Sequence, residues 1–154
     1  MSNIEDSLNK IKELEHTADV LYEITADDLL ELFELAALSM FNTMTDIKKV
    51  VPRDCKEISA EGFDLENLLY RWLENLLIDH DLTGYVYSKI MQLNMTIFRE
   101  DRSEKMILRG VVCGEKFDRE RHDARLVVKA VTYSQMFIHR TSDGRWRTYI
   151  VYDI

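Results

Sequence analysis

The chain has 154 residues, of which 46% are hydrophobic and 31% charged, a composition typical of one globular domain with its own core. Its formal net charge is −8, so we do not expect it to bind the phosphates of a nucleic acid by itself. The sequence contains no apolar run long enough to cross a bilayer and no apolar signal segment near its start, and we therefore expect a cytoplasmic protein without a membrane contact.

The N-terminal segment, residues 1–13, is predicted to be an amphipathic helix. Its apolar side chains recur at helical spacing, at Ile4, Leu8 and Ile11. We interpret it as an extension ahead of a single domain over residues 14–154, because no linker-like composition and no repeat divides the rest of the chain.

A strand and a helix are predicted next. From 15 to 25 apolar and polar side chains alternate, which is typical of a half-buried strand, and the alternation points Asp19 away from the apolar face. His16 lies on that apolar face, where a core histidine is more common than a metal ligand. Apolar residues then recur at helical spacing over 29–44, with the acidic pair Asp27-Asp28 at the start of the helix.

The second half of the chain is predicted to be rich in strands. Residues 56–63 form a short predicted strand, and 65–80 form a second amphipathic helix that starts at Asp64 and ends before Gly84. Four later runs rich in Val, Ile, Tyr and Thr predict strands, at residues 85–98, 105–115, 125–140 and 145–153. An Asp-Gly pair at residues 143–144 predicts a hairpin turn between the last two.

These elements predict an α+β fold. Two helices and about six strands are present, and they do not alternate as β-α-β units. We expect a two-layer domain in which both helices cover one face of a single, largely antiparallel sheet.

The charge distribution and the two cysteines give two further expectations. Residues 1–81 hold 19 acids against 7 Lys and Arg, whereas residues 116–147 hold 8 Lys and Arg against 4 acids. Either the acidic part suits a cation or a basic partner, or both parts are ordinary solvated surfaces. Cys55 and Cys113 lack the spacing of a metal or redox motif, so we expect reduced, structural thiols.

The end of the chain carries the main candidate site. Asp153 precedes Ile154, so a carboxylate side chain stands beside the terminal carboxylate. If Asp19 joins them from another strand, three carboxylates converge, and an oxygen-only cluster suits a hard cation such as Ca²⁺ or Mg²⁺. Lys129 or Arg147 could offset the same negative charge without a metal, and this alternative stays open.

An ordered set of motifs resembles the archease family over nearly the whole chain. The motifs are, in chain order, Glu15-His16-Thr17-Ala18-Asp19-Val20, Asn42-Thr43-Met44-Thr45-Asp46, Trp72-Leu73-Glu74-Asn75-Leu76-Leu77, Gly114-Glu115-Lys116-Phe117-Asp118, His122, Val128-Lys129-Ala130-Val131-Thr132-Tyr133 and Asp153-Ile154. The order of the set is more specific than any single motif. Departures from the family pattern are residues 1–13, Ser134 where a His is frequent, and 94–105.

The resemblance implies an accessory protein of an RtcB-type RNA ligase, which joins RNA ends bearing a 2′,3′-cyclic phosphate or 3′-phosphate to a 5′-hydroxyl in tRNA splicing and RNA repair. Archease-like proteins promote guanylylation and multiple turnover of that ligase, and RNA is expected to be contacted only through it. The resemblance also implies a divalent metal, commonly Ca²⁺ with Mg²⁺ or Mn²⁺ as alternatives, at Asp19, Asp153 and Ile154. Asp46 and Lys129 match positions associated with ligase activation, and His122 is a secondary candidate.

Two other functions stay open from the sequence. One is a stand-alone metal-dependent phosphoesterase that uses the same carboxylates, and the other is a metal-free chaperone or interaction module that binds basic partners. The five glycines form no phosphate-binding motif, and no Cys-His or Ser-His arrangement indicates a nucleophile. We therefore expect an accessory protein and not an enzyme.

Overall fold

Two antiparallel sheets and a layer of helices make up the fold. The computed structural model describes residues 3–14 and 19–154. The helices in these ranges are α1 (Ile4–Leu8), α2 (Leu29–Met44) and α3 (Leu65–Thr83), with a 3-10 turn at Ile47–Lys49. The strands there are β1 (Ile11–Leu14), β2 (Asp19–Ala26), β3 (Asp54–Gly62), β4 (Tyr85–Glu100), β5 (Ser103–Lys116), β6 (Ala130–Val131), β7 (His139–Arg140) and β8 (Trp146–Asp153).

The predicted α+β class is confirmed, but the strands form two sheets and not one. The first sheet has the order β1-β2-β8-β6, with β7 also paired to β8, and the second has the order β3-β5-β4. Helix α2 packs on β2 and β8 of the first sheet and on β4 of the second. The two sheets are therefore connected by packing against a shared helix, which the alternation of side chains within single strands does not reveal.

Local sequence signals place both long helices as predicted. The Asp28 carboxylate accepts the backbone N–H of Glu31 at 2.9 Å, and Asp64 accepts that of Asn67 at 2.7 Å. Helix α3 ends at Gly84, whose φ of 76° lies in the left-handed region that favours glycine. Of the described helices, none is long and apolar enough to cross a membrane.

The core lies between the helices and the sheets and is rich in aromatic side chains. Trp72 is fully buried, and its indole N–H donates to the Phe33 carbonyl oxygen at 3.1 Å. The buried Tyr152 hydroxyl lies 2.8 Å from the Ser39 hydroxyl. Satisfied polar groups of this kind let large aromatic residues be buried without an unpaired donor.

The N-terminal segment is only partly helical, so the prediction of one helix over residues 1–13 is wrong. Helix α1 stops at Leu8, and β1 then pairs with β2, with Ile11 opposite Ile24. The edge of β2 offers unpaired backbone groups, and pairing with them outweighs the helical spacing of the side chains. The predicted strand over 15–25 is observed from Asp19 onward; its earlier part, which includes His16, lies outside the described residues.

The predicted strand over residues 125–140 is mostly irregular. Only β6 and β7, two residues each, pair with β8. The backbone N–H groups of Arg125 and Leu126 instead donate to the carbonyl oxygens of Met44 and Thr43 at the end of α2. Hydrogen bonds to the helix end therefore take the place of a strand ladder, despite the Val- and Tyr-rich composition.

The expectation of two reduced thiols is also wrong. Cys55 on β3 and Cys113 on β5 are directly opposite in the strand register, with Cα atoms 4.1 Å apart, and they form a disulfide. Their separation of 58 residues along the chain gave no sign of this pairing. It follows from the register of β3 against β5, which becomes visible only in the folded chain.

Gly114 marks the closest approach of β5 to β4 and gives a first prediction. A Cβ at this position would lie 1.9 Å from the Val86 carbonyl oxygen and 2.7 Å from the Cα of Tyr87. Since backbone atoms cannot move aside cheaply, we expect Gly114→Ala to lower the free energy of unfolding by about 2–3 kcal/mol, measured by urea denaturation. Gly110→Ala is the matched control, because its Cβ meets side-chain atoms only, the flexible end of Leu93 at 2.6 Å and the Trp72 ring at 3.2 Å. A loss of stability equal to or larger than that of Gly114→Ala would contradict the prediction.

Candidate functional site

The register of β2 against β8 brings two of the predicted site residues together. Asp19 lies directly opposite Asp153, next to the core pair Val20 and Tyr152. Because successive side chains alternate between the faces of a sheet, both carboxylates point to the face opposite the core. Asp19 is half-buried and Asp153 is exposed. Like charges directly opposite each other repel, so this pair favours a cation between them.

Ile154 places its main-chain atoms beside this pair. Its side chain is half-buried and packs against the hydrophobic core, which anchors the residue after Asp153. The possible donors are thus two aspartate carboxylates and main-chain oxygen at Ile154, all oxygen atoms, as Ca²⁺, Mg²⁺ and Mn²⁺ prefer. Among residues 3–14 and 19–154, no group of three or more His, Cys, Asp or Glu residues is arranged to hold a metal. Within the described part of the chain, a metal here would therefore rely on these two carboxylates with main-chain oxygen and water.

The backbone of Lys129 contacts Asp153 at the same end of the sheet. Its N–H donates to the Asp153 carbonyl oxygen at 2.8 Å, and the next residue, Ala130, lies opposite Asp153. Val127 and Val131 on the same predicted strand face indicate a partly buried Lys129 that needs a carboxylate partner, and this prediction is wrong. The Lys129 side chain is exposed and makes no ion pair with any residue in the described part of the chain, because β6 is a short strand at the sheet edge.

Asp46 lies at the end of α2 and contacts the segment that leads to Lys129. One carboxylate oxygen accepts the Lys48 N–H at 3.1 Å, and the other lies 3.9 Å from the Arg125 guanidinium. That guanidinium also donates to the Asn42 carbonyl oxygen at 3.1 Å. Asp46 therefore helps to hold Arg125, four residues before Lys129.

His122 is buried, although its place in a charged stretch of the sequence predicts a surface histidine, and that prediction is wrong. Its Nδ1 accepts the Asp118 N–H at 2.9 Å, so Nε2 carries the proton and donates to the Glu115 carboxylate at 2.8 Å. Because both of its ring nitrogens are hydrogen-bonded, this histidine stabilises the loop that follows β5.

Glu115 is the centre of this cluster and was not singled out from the sequence. It is 4% exposed and also accepts from the Val51 N–H at 2.9 Å and from the Arg121 guanidinium. Burial alone would raise the pKa of the Glu115 carboxyl, but the hydrogen bonds from Arg121, Val51 and His122 outweigh it and lower that pKa to about 2. The only sequence signal was its position in a family motif.

The depressed pKa of Glu115 gives a prediction for stability against pH. The folded-state pKa of about 2 lies below the usual 4.5, so the ionised carboxyl stabilises the fold fully above pH 4.5, and this contribution is lost as the pH falls toward 2. We expect Glu115→Gln to cost about 2 kcal/mol at pH 7, and the difference from the unaltered protein to shrink between pH 4.5 and 2. Urea denaturation across that range measures it.

Glu120→Gln is the control for this experiment, because Glu120 is an exposed acid in the same loop. It should leave the free energy of unfolding within about 0.5 kcal/mol of the original. A cost at Glu115 that does not change with pH would contradict the assigned ionisation.

The basic segment of the chain lies against the acidic one. Ion pairs join them at Arg125–Asp46, Lys49–Asp123, Arg145–Asp27 and Arg147–Glu23. Exposed pairs of this kind contribute less than about 1 kcal/mol each. They do, however, offset part of the negative charge where the acidic and basic parts of the chain meet.

Comparisons by family model, by sequence and by structure agree with one another. The model of the Archease protein family (MTH1598/TM1083) matches residues 12–154. A protein archease from Pyrococcus furiosus is 42% identical over 140 residues, covering 91% of this chain and 95% of the relative. One from Sulfurisphaera tokodaii is 40% identical over 145 residues, covering 94% and 99%. The solution structure of Methanobacterium thermoautotrophicum protein 1598 superposes with a TM-score of 0.75 at 32% identity, covering 94% of this chain and 99% of that one.

Proposed function

This chain belongs to the archease family, and from that premise we propose that it activates an RtcB-type RNA ligase in tRNA splicing and RNA repair. Membership of the family supports an accessory role in RNA processing. In detail, we propose that the protein promotes guanylylation and multiple turnover of the ligase and is not itself an enzyme. The observation that supports a cation-dependent role is the β2–β8 register, which sets Asp19 opposite Asp153 at one end of the sheet.

The proposal includes a divalent cation, Ca²⁺ in the first place and Mg²⁺ or Mn²⁺ otherwise. Asp19, Asp153 and main-chain oxygen of Ile154 would hold it, and their oxygen-only chemistry fits these ions. A cation bound there supplies positive charge that can neutralise phosphate oxygens during nucleotidyl transfer. The exposure of Asp153 leaves the cluster accessible to a partner protein.

The surroundings of the cluster support contact with a partner. The Lys129 side chain is exposed beside Asp153, and close before it in the chain Leu126 and Val127 are 45% and 74% exposed. Exposed apolar side chains with polar groups around them are typical of a protein-binding surface. In this proposal Lys129 contacts the ligase, and Asp46 positions the segment that carries Lys129 through Arg125.

We propose the cytoplasm as the place of action, with RNA contacted only through the ligase and no membrane contact. The net charge of −8 supports the indirect contact, since an acidic protein repels the RNA backbone.

A ligation assay tests this function. A limiting amount of the RtcB-type ligase from the same source receives GTP, divalent metal and excess RNA with a 2′,3′-cyclic phosphate and a 5′-hydroxyl. We expect several turnovers per ligase with this protein and about one without it. No gain, with a ligase that completes one turnover, would overturn the proposal. Phosphate-ester hydrolysis by the isolated protein would favour a phosphoesterase instead.

A further inference from the structure

The sheet β3-β5-β4 has an inner face on which the helices pack and an outer face that points away from them. Helices α2 and α3 both contact this sheet. A Cβ at Gly110 of β5 would lie 3.2 Å from the ring of Trp72 on α3, and Leu38 of α2 lines a common groove with Ile90 of β4. Because side chains alternate along a strand, the neighbours of Gly110 on β5 point to the outer face.

Apolar side chains form a strip on the outer face. Ile107 and Val111 lie on β5, and Met91 of β4 is directly opposite Val111. All three are half-buried and lie apart from the hydrophobic core beneath the helices. Phe98 of β4, which is 48% exposed, extends the strip opposite Lys105. The solvated face of an antiparallel sheet is normally polar, so an apolar strip there indicates a surface that another molecule covers.

The charged side chains of the outer face are sorted by strand. Glu57 and Glu61 lie on the edge strand β3, whereas Arg109 and Lys105 lie on the central strand β5. Lys105 is paired with Glu61 at 3.5 Å. The side chains of Glu57 and Arg109 are exposed, and neither makes an ion pair or hydrogen bond with another residue of the ranges 3–14 and 19–154. The face thus presents an unpaired negative charge beside an unpaired positive one.

We propose that this outer face is the contact surface between two copies of the chain. A two-fold axis parallel to the strands, between β3 and β5, places β3 of each copy over β5 of the other. Arg109 of each copy then meets Glu57 of the other, and the strip at Ile107 and Val111 is covered. The pattern of an acidic strand beside a basic one is self-complementary under this symmetry, which favours a second copy as the occupant.

The size of the face agrees with a weak dimer. Strand β5 has 14 residues. Three strands of that length span roughly 14 Å by 46 Å, or about 650 Å² per copy. Stable interfaces bury about 800 Å² per partner, so we expect a dissociation constant on the order of tens of micromolar. Asp19 and Asp153 belong to the other sheet, and the dimer therefore leaves the proposed metal site accessible.

Sedimentation equilibrium of the full chain, from low micromolar to submillimolar concentration, tests the proposal. We expect a monomer–dimer equilibrium for the unaltered protein. Arg109→Glu and Glu57→Arg each place like charges opposite one another across the two-fold axis, so each should weaken dimerisation about tenfold or more. Glu57→Arg also lowers the net negative charge of the chain, and it would strengthen association if overall repulsion decided the outcome.

An equal mixture of the two variants provides the decisive measurement. In a mixed dimer every contact between positions 57 and 109 again joins opposite charges, so the mixture should dimerise about as tightly as the unaltered protein. A rearrangement within one chain cannot produce this recovery. Both substitutions are at exposed positions, and circular dichroism and urea denaturation should show native folding.

Glu120→Arg is the matched control, because it makes the same change of charge at an exposed position in the loop after β5. It should dimerise like the unaltered protein. The proposal is overturned if the unaltered protein is monomeric at every concentration, if the mixture of variants does not recover dimerisation, or if Glu120→Arg weakens dimerisation as much as Glu57→Arg.

Discussion

Replacing Asp153 with asparagine (Asp153→Asn) is expected to remove most of the ligase activation while the protein stays folded. The substitution keeps the shape of the side chain but removes one of the two opposed carboxylates at the end of the sheet. We expect the affinity for Ca²⁺ to fall at least about tenfold. Turnover of the ligase measures the first effect, and calcium titration by calorimetry measures the second.

Stability should respond in the opposite direction from activity. Asp153 is exposed, so the substitution leaves no buried group unpaired. It also relieves the repulsion from Asp19, and in metal-free buffer we expect the variant to be as stable as the original or more stable by up to about 1 kcal/mol. A purely structural role for Asp153 would instead lower stability and activity together.

Asp101→Asn serves as the matched control for charge. Asp101 lies in the turn between β4 and β5 with a φ of 52°, a conformation that asparagine also tolerates. This variant has the same net charge as Asp153→Asn and should activate the ligase normally. A folded Asp153→Asn protein that activates as well as Asp101→Asn would rule out the metal part of the proposed function.

Loss of the disulfide between Cys55 and Cys113 is expected to have the largest effect on stability. The bond closes a loop with a sequence separation of 58, for which chain entropy predicts about 4 kcal/mol. It also fixes β3, an edge strand, to the central strand β5. We expect reduction of the protein to lower its free energy of unfolding by about that amount in urea denaturation.

The double variant Cys55→Ala/Cys113→Ala provides the control for reduction. It should match the reduced protein closely in stability and should not respond to reductant. Two free thiols in the protein denatured without reductant would contradict the assigned disulfide. Ligase activation should change little on reduction at temperatures where the protein stays folded, because the disulfide belongs to the sheet that lacks Asp19 and Asp153.

Sequence reasoning worked best where a structure is decided by neighbouring residues. The helix over 29–44 and the start of α3 followed from apolar spacing within one or two turns and from the caps Asp28 and Asp64. The turn before β8 followed from its Asp-Gly pair, and Gly144 indeed has a φ of 84°. Such signals act over a few residues, so the local sequence contains all of the relevant information.

Predictions from the sequence were wrong where a distant segment of the chain supplies the contacts that decide the structure. The composition of residues 125–140 favours a strand, yet the backbone of Arg125 and Leu126 bonds to the end of α2. His122 stands in a charged stretch but is buried by Glu115, which belongs to β5. No pattern along the chain describes these contacts.

For the candidate site, the sequence by itself determined the residue types: carboxylates at Asp19 and Asp153, an acidic chain, and the family motifs that contain them. Only the tertiary structure decided that these two side chains face each other, that Lys129 is bound to Asp153 through its backbone, and that Cys55 meets Cys113. The physical reason is strand register. Alternation tells which face a side chain takes, but packing of remote segments decides which residue of one strand lies opposite which residue of the next.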